Sequence, residues 1–140
     1  MDYFHLNVDR EQLLSMSSLG LAHLGDGVFE VMVRSWIALH GKAKPKALHR
    51  ATVTYVSAPA QAAAMERLLP QLSEEEADVY RRGRNTAPHS VPKAASRAQY
   101  QAATGLEALF GWLYLQGRTQ RLNELFEIVM KEEEEEKECR

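Results

Sequence analysis

Cysteine is almost missing from this chain of 140 residues, because Cys139, second from the end, is the only one. This excludes an internal disulfide and a zinc site built from cysteines. No apolar run approaches the roughly 20 residues that span a bilayer, and the first ten residues lack the basic and apolar segments of a signal peptide. From these absences we expect one cytoplasmic domain, which at this length buries about two-thirds of its unfolded surface.

Strand signals are also scarce, since only VTYV at 53–56 is a candidate, whereas helical signals run along nearly the whole chain. Capping residues predict helix starts after Asp9, Ser17 or Ser18, Ser57, Ser73 and Ser96, and a further helix begins at Lys44-Pro45. We therefore predict an all-α fold over residues 1–130. The remaining segment, 131–140, is predicted to be an acidic tail, either a frayed helix end or disordered.

The longest predicted helix runs from Ser17 or Ser18 to about His40 and carries an acid between two glycines, Gly25 and Gly27. Two glycines inside a helix cost up to about 1 kcal/mol each relative to alanine, which predicts close approach of another helix or of a ligand. The helical period places the buried stripe of this helix at Leu21, Leu24, Val28, Val31 and Met32.

Acidic residues are absent from two long stretches, 31–65 and 79–106. The tail holds three of the 17 Lys/Arg and six of the 19 Asp/Glu, which leaves 14 basic against 13 acidic residues in the body. Ten of those 14 lie in the acid-free stretches: Arg34, Lys42, Lys44, Lys46, Arg50, Arg81, Arg82, Arg84, Lys93 and Arg97. Such clusters fit a polyanionic partner, with a solvated basic face as the alternative.

Asp26 and Glu107 each interrupt a helix that otherwise reads as packed. An ionised carboxylate costs several kcal/mol to remove from water without a partner. Gly105 and Gly111 lower the side-chain bulk around Glu107, as Gly25 and Gly27 do around Asp26. If the two helices cross there, the carboxylates converge on a site for Mg²⁺, which commonly takes one or two carboxylates and completes its shell with water and phosphate. Ordinary ion pairs or half-exposed acids are the alternative.

Several segments in order carry a resemblance to a known family. LAHLGDGVFE at 21–30 resembles the LGD helix of ribonuclease III catalytic domains, and GLEALFGWLYL at 105–115 resembles their second acidic helix. LHRATVTYVSAPAQA and EEEADVYRRGRN, followed by a Ser/Pro/Lys loop, extend the resemblance to the mini-ribonuclease III subfamily, which lacks an appended RNA-binding domain. The resemblance covers roughly residues 17–126.

The resemblance implies that Asp26 and Glu107 are the catalytic, metal-ligating acids. Two further acids of the larger ribonucleases III do not carry over, because this chain has Ala22 and Thr104 at those positions. We therefore expect one firmly held Mg²⁺ per site, for which Mn²⁺ can substitute. Glu30, one helical turn after Asp26, could supply an outer-sphere contact, with a surface ion pair as the alternative.

The resemblance also implies the activity: Mg²⁺-dependent cleavage of double-stranded RNA by a homodimer, leaving 5′-phosphate and 3′-hydroxyl ends, in the maturation of large-subunit ribosomal RNA precursors. We expect RNA contacts from the acid-free stretches, through Lys42, Lys44, Lys46, Arg50, Arg81, Arg82, Arg84, Asn85, Lys93 and Arg97. Phe110, Trp112 and Tyr114 are candidates for the dimer interface or for core packing. The alternative functions are a catalytically inactive helical module for double-stranded-RNA binding or for assembly, and a bundle that binds only protein.

Overall fold

The computed structural model describes residues 1–41, 44–87 and 95–138, with residues 131–138 described for their backbone only. This part of the chain forms seven α-helices and two short 3₁₀ turns, at Pro45–Ala47 and Leu69–Gln71. The helices are α1 (Arg10–Ser15), α2 (Ser18–His40), α3 (Leu48–Val56), α4 (Ala58–Leu68), α5 (Glu74–Asn85), α6 (Arg97–Leu115) and α7 (Thr119–Glu138). The all-α fold is confirmed within these residues, and the candidate strand at 53–56 is wrong because it lies inside α3.

The helix starts predicted after Asp9, Ser17, Ser57, Ser73 and Ser96 are confirmed by side chains that cap them. The start predicted at Lys44-Pro45 is a 3₁₀ turn without a capping side chain, and α3 begins at Leu48. Ser73 accepts a hydrogen bond from the Glu76 amide at 3.1 Å, while the Glu76 carboxylate accepts one from the Ser73 amide at 2.8 Å. Ser96 and Gln99 form the same reciprocal arrangement at the start of α6. Each arrangement satisfies two amides that a helix end otherwise leaves without a partner.

A glycine at the end of a helical segment is a common stop signal, which from the sequence alone predicts that α5 ends at Gly83. The helix continues to Asn85, since Gly83 lies against α6 and does not turn the chain. A Cβ at Gly83 would lie 2.7 Å from the Ala108 Cβ, closer than two side-chain carbons can approach. Gly83 therefore permits helix packing, which fixes the end of α5 beside the middle of α6.

Helix α6 forms the centre of the molecule and packs against α2, α4, α5 and α7. Phe110 is fully buried and meets the Phe29 ring edge to face, with centroids 5.4 Å apart. Trp112 is also buried, and Arg118 lies over its ring. Both aromatic residues thus belong to the core of the monomer.

Helix α2 buries a face that agrees with the predicted one only at Leu21. Leu21, Phe29, Val33 and Ile37 point into the core, whereas Leu24, Val28 and Met32 are only half-buried and Val31 is 58% exposed. The prediction failed because α2 is apolar on two faces, and its periodicity alone does not say which one meets α6. The face with Gly25 is the one that permits the closest approach.

A buried ion pair connects the start of α5 to α7. Glu76 is 1% exposed, and both of its carboxylate oxygens accept hydrogen bonds at 2.8 Å from Arg121. Arg121 also donates to the Gln71 carbonyl oxygen at 2.7 Å. The Arg121 guanidinium holds the pKa of Glu76 below its ordinary value, so the carboxylate stays ionised despite its burial.

The backbone of α7 is helical as far as Glu138, so it includes most of the segment predicted as a tail. Within the described residues, none of the helices combines the length and hydrophobicity needed to span a bilayer.

Candidate metal centre

Helices α2 and α6 touch through their main chains at Gly25 and Gly111. A Cβ at Gly25 would overlap the Glu107 carbonyl oxygen and would lie 2.8 Å from the Gly111 nitrogen. Conversely, a Cβ at Gly111 would overlap the Leu21 carbonyl oxygen. The predicted crossing of the two helices at glycines is therefore confirmed. At Gly27 no helix of this protomer approaches, since a Cβ there would meet no atom within 4 Å, and the approach of a ligand there stays a prediction.

The crossing brings the Asp26 and Glu107 side chains together. The pKa of Glu107 is raised to about 8, chiefly by burial and in addition by the neighbouring Asp26 carboxylate, through a hydrogen bond and through charge repulsion. The Gln61 amide opposes this shift by hydrogen bonding to Glu107. Repulsion between neighbouring carboxylates is relieved either by a shared proton or by a cation.

The donor set at this crossing suits a hard divalent cation that keeps part of its water shell. Within the described residues, no group of three or more His, Cys, Asp and Glu side chains is placed to hold a metal. Two carboxylates alone do not make a closed four-ligand zinc site. They match the protein share of a Mg²⁺ site, in which water and substrate phosphate complete the octahedron.

The two positions that lack an acid are buried beside the site. Ala22 and Thr104 are each 6% exposed, and the Thr104 hydroxyl donates to the Tyr100 carbonyl oxygen at 3.0 Å. Glu30 lies 3.2 Å from Arg34, so its carboxylate forms a surface ion pair. None of these three side chains adds a carboxylate to the pair formed by Asp26 and Glu107.

Gln61 is a site residue that the sequence prediction missed. It lies on α4, is 2% exposed, and donates from Nε2 to the Val56 carbonyl oxygen at 2.8 Å. Its position beside Glu107 depends on how α4 packs on α6, which local periodicity does not reveal. The one feature of the sequence that could have pointed to Gln61 is that it is the single amide side chain in the alanine-rich segment APAQAAAM.

The candidate RNA-binding residues form two groups. Lys44, Lys46 and Arg50 are exposed on the 3₁₀ turn and on α3. The other group is at the end of α5, where Gly83 touches α6 at Ala108 and Gly105, and Arg84 and Asn85 follow directly. Lys42 and Lys93 lie outside the described residues.

Within the α5 group, the arginines differ in their contacts. Arg82 pairs with Asp78 at 3.0 Å, and Arg81 reaches the same carboxylate at 3.8 Å. Arg84 lies over the Tyr80 ring, 5.7 Å from its centroid, and donates to the Asn85 side chain at 3.3 Å. Arg97 is exposed in the first turn of α6. His23, the histidine nearest to Asp26 in sequence, is an exposed residue.

An apolar groove of about 390 Å³ follows the second face of α2. Its lining includes Leu24, Val28, Val31 and Met32, with Tyr114 from α6. Of the three aromatic residues considered for an interface, Tyr114 alone lines this groove, since Phe110 and Trp112 are buried in the core.

Comparisons with known proteins agree on one family. The sequence profile of the Ribonuclease III domain matches residues 19–118. The chain is 46% identical over 116 residues to the mini-ribonuclease 3 of Symbiobacterium thermophilum, covering 83% of this chain and 89% of that protein. It is 42% identical over 126 residues to the mini-ribonuclease 3 of a Thermoanaerobacter species, covering 90% of this chain and 89% of that protein. A crystal structure of a protein from Fusobacterium nucleatum superposes with a TM-score of 0.77 at 28% identity, covering 85% of this chain and 95% of that one.

Proposed function

The chain belongs to the ribonuclease III family, and from this premise we propose that it is a Mg²⁺-dependent endoribonuclease whose catalytic acids are Asp26 and Glu107. Its products carry 5′-phosphate and 3′-hydroxyl ends. The family acts on double-stranded RNA and works as dimers. We assign to this chain a precursor of large-subunit ribosomal RNA as substrate, in the cytoplasm.

One observation carries the assignment of the acids: the main-chain contact at Gly25 and Gly111 places the two carboxylates together, one of them with its pKa raised to about 8. A structural ion pair would place a cationic side chain beside such a carboxylate. Here the residues that act on Glu107 are Asp26 and the Gln61 amide, neither of which is cationic. We infer that a divalent cation balances this pair, because Glu107 is half-buried beside the exposed Asp26 carboxylate and no cationic side chain acts on it.

The reaction divides between the bound cation and the side chains of this chain. The cation supplies Lewis-acid activation of the phosphodiester and of a water nucleophile. Asp26 and Glu107 hold it, and their spacing is fixed by the helix crossing. The basic residues of the α3 and α5 groups bind backbone phosphates on either side of the cut, where they orient the duplex by its shape.

The partner in the homodimer is a second copy of this chain, seated on the apolar groove of α2. Val31 and Leu39 are 58% and 82% exposed along this face, which no described element of the protomer covers. A dimer would remove this apolar surface from water. It would also supply two metal centres, one for each strand of a duplex.

The test compares wild type with Asp26→Asn and Glu107→Gln on a uniformly labelled duplex RNA in Mg²⁺ at low salt. Both variants should lose cleavage by at least 100-fold while keeping most of their duplex affinity, because neither removes a basic residue. The matched control is Glu66→Gln, which changes an exposed acid on α4, away from the site. This variant should cut like wild type.

Two outcomes would contradict the proposal. If wild type binds duplex RNA but never nicks it at saturating Mg²⁺, the inactive RNA-binding module is the better description. If wild type has no RNA affinity at all, a bundle that binds only protein is the better description. Mapping the cut ends in total RNA then identifies the precursor, and cuts confined to other transcripts would refute the ribosomal assignment.

A further inference from the structure

The three arginines at the end of α5 differ in how far their charge is neutralised. Arg81 and Arg82 share the Asp78 carboxylate, at 3.8 and 3.0 Å, and all three of these side chains are more than half exposed. Arg84 is half-buried, and no acidic side chain among the described residues forms an ion pair with it. A partly desolvated cation without a counter-charge favours an anionic ligand.

Two contacts fix the Arg84 guanidinium. Its central carbon lies 5.7 Å from the centroid of the Tyr80 ring, and its Nε donates to the Asn85 Oδ1 at 3.3 Å. Tyr80 itself is 4% exposed and packs on α6, where a Cβ at Gly105 would lie 2.6 Å from two of its ring carbons. Burial raises the pKa of Tyr80, and Arg84 opposes this rise by its charge and by a hydrogen bond. These contacts occupy only part of the five N–H donors of the guanidinium.

The packing of Gly83 places Arg84 near the proposed metal centre. A Cβ at Gly83 would lie 2.7 Å from the Ala108 Cβ and 3.1 Å from the Gly105 Cα. Those two residues belong to the same turn of α6 as Glu107. Because Arg84 directly follows Gly83, it lies beside the turn of α6 that carries the acid. A nucleic-acid strand carries a phosphate about every 3 Å along its axis, so a strand cut at Glu107 has further phosphates close by.

We propose that Arg84 binds one backbone phosphate of the duplex beside the metal centre, and that Tyr80 is a positioning residue that holds its guanidinium for this contact. This inference rests on the proposed function, since it needs duplex RNA as the ligand. A planar guanidinium matches a phosphate with two parallel hydrogen bonds, and one that is already stacked loses less conformational freedom on binding. Arg81 and Arg82 contribute less to RNA binding, because Asp78 shares their charge.

The alternative is that Arg84 only stabilises the C-terminal end of α5, where a cation interacts favourably with the helix dipole. A structural role of this kind predicts a lower Tm for Arg84→Gln but no change in how RNA binding depends on salt. A phosphate contact does change that dependence, because each neutralised phosphate releases counterions. The matched control is Arg10→Gln, which removes an exposed arginine of α1, outside the α3 and α5 groups, and changes the net charge equally.

The experiment measures the affinity of the full-length protein for a labelled RNA duplex from about 50 to 200 mM KCl, with EDTA present so that no metal-dependent cut occurs. We expect Arg84→Gln to reduce the slope of log affinity against log salt by about 1, which corresponds to one lost phosphate contact. Arg82→Gln should reduce the slope less, and Arg10→Gln should leave it unchanged. Arg84→Lys should keep the slope but bind about 3-fold more weakly, because an ammonium group does not stack on Tyr80 as a guanidinium does.

The positioning role of Tyr80 is tested by a double-mutant cycle. Tyr80→Met removes the ring and should weaken RNA binding about 3-fold when Arg84 is present. It should have no further effect in Arg84→Gln, because the ring acts only through that guanidinium. If Tyr80→Met does not fold, Arg84→Lys tests the same stacking contact from the other side.

Each outcome has a distinct meaning. Wild type that binds no duplex RNA at any salt concentration contradicts the proposed function. Wild type that binds, with folded Arg84→Gln keeping the full slope, overturns only the role of Arg84. An equal change of slope for Arg82→Gln or Arg10→Gln also overturns it, because the contact is then not specific to Arg84. Additive losses for Tyr80→Met and Arg84→Gln overturn the positioning role of Tyr80.

Discussion

Gly25→Ala is the substitution that most directly tests how the site is assembled. It adds a single methyl group to a helix, where alanine is otherwise favoured over glycine by up to about 1 kcal/mol. In this fold, however, the methyl group would overlap the Glu107 carbonyl oxygen and lie 2.8 Å from the Gly111 nitrogen. Carbon contacts are favourable only from about 3.5 Å, and neither main chain can rotate away as a side chain would.

The expected magnitude follows from this geometry. Helices α2 and α6 must separate by on the order of 1 Å, which loosens the buried contacts between them. Overpacking of a rigid core costs about 1–3 kcal/mol and occasionally more, and a clash with main-chain atoms belongs at the upper end. A loss of about 3 kcal/mol lowers the Tm of a domain of this size by roughly 10 °C. Displacement of the carboxylates by a similar distance should reduce cleavage about 100-fold.

The assay is thermal unfolding at one fixed protein concentration, followed by duplex cleavage of the folded fraction. Gly27→Ala is the control, since Gly27 also flanks Asp26 but a Cβ there meets nothing within 4 Å of the protomer. It should keep or raise the Tm. Gly111→Ala should reproduce the loss, and the double variant Gly25→Ala/Gly111→Ala should lose less than the sum, because either methyl group alone separates the helices.

A Gly25→Ala protein that melts within about 2 °C of wild type would refute the reasoning, because it would mean that α2 and α6 are not in main-chain contact. Equal losses for Gly25→Ala and Gly27→Ala would refute it as well, since helix propensity rather than the crossing would then explain both.

Three further predictions test other parts of the structure. Glu107→Gln should stabilise the metal-free protein by up to about 3 kcal/mol at pH 7. The reason is that folding raises this pKa from 4.5 to about 8, so the folded state holds the proton more tightly, and wild-type stability falls as the pH rises across that window. Melts at several pH values should show the advantage of the variant vanish below about pH 4.5, and an advantage independent of pH would contradict the shift. Arg121→Met should cost about 3 kcal/mol in a denaturant titration, because it leaves the buried Glu76 carboxylate unpaired, whereas Arg82→Met, at an exposed pair, should cost at most about 1 kcal/mol. Val31→Glu should give a folded monomer by light scattering; if it remains a dimer, the groove is not the interface.

Much of the secondary structure could be predicted because capping is local. The Ser73 and Ser96 boxes each use atoms within three residues, so the sequence contains all the information that positions those helix starts. The end of α5 could not be predicted in the same way. Gly83 has the same appearance in sequence whether it ends a helix or receives a neighbouring one, and only the packing against Ala108 distinguishes the two.

The site itself was predictable in part. Asp26 and Glu107 were proposed because an acid in a packed helix is costly, an argument that needs no tertiary structure. Its premise holds for Glu107, which is half-buried, but not for Asp26, which is exposed. The face of α2 that meets α6 could not be predicted from the sequence. Both faces are apolar, and Val28 and Phe29 are equally good core residues by composition. Gln61 was missed because its proximity to Glu107 depends on the packing of α4 on α6.

The contact at Gly25 and Gly111 also has a consequence for the choice of ion. The distance between the Asp26 and Glu107 main chains is set by two peptide backbones in contact, so the site cannot shrink, and it can widen only if the helices part. Mg²⁺ accepts oxygens at about 2.1 Å in a strict octahedron, whereas Ca²⁺ needs about 2.4 Å and more ligands. In the proposed metal centre, main chains held at this distance by two residues that have no side chain would therefore favour the smaller ion, Mg²⁺.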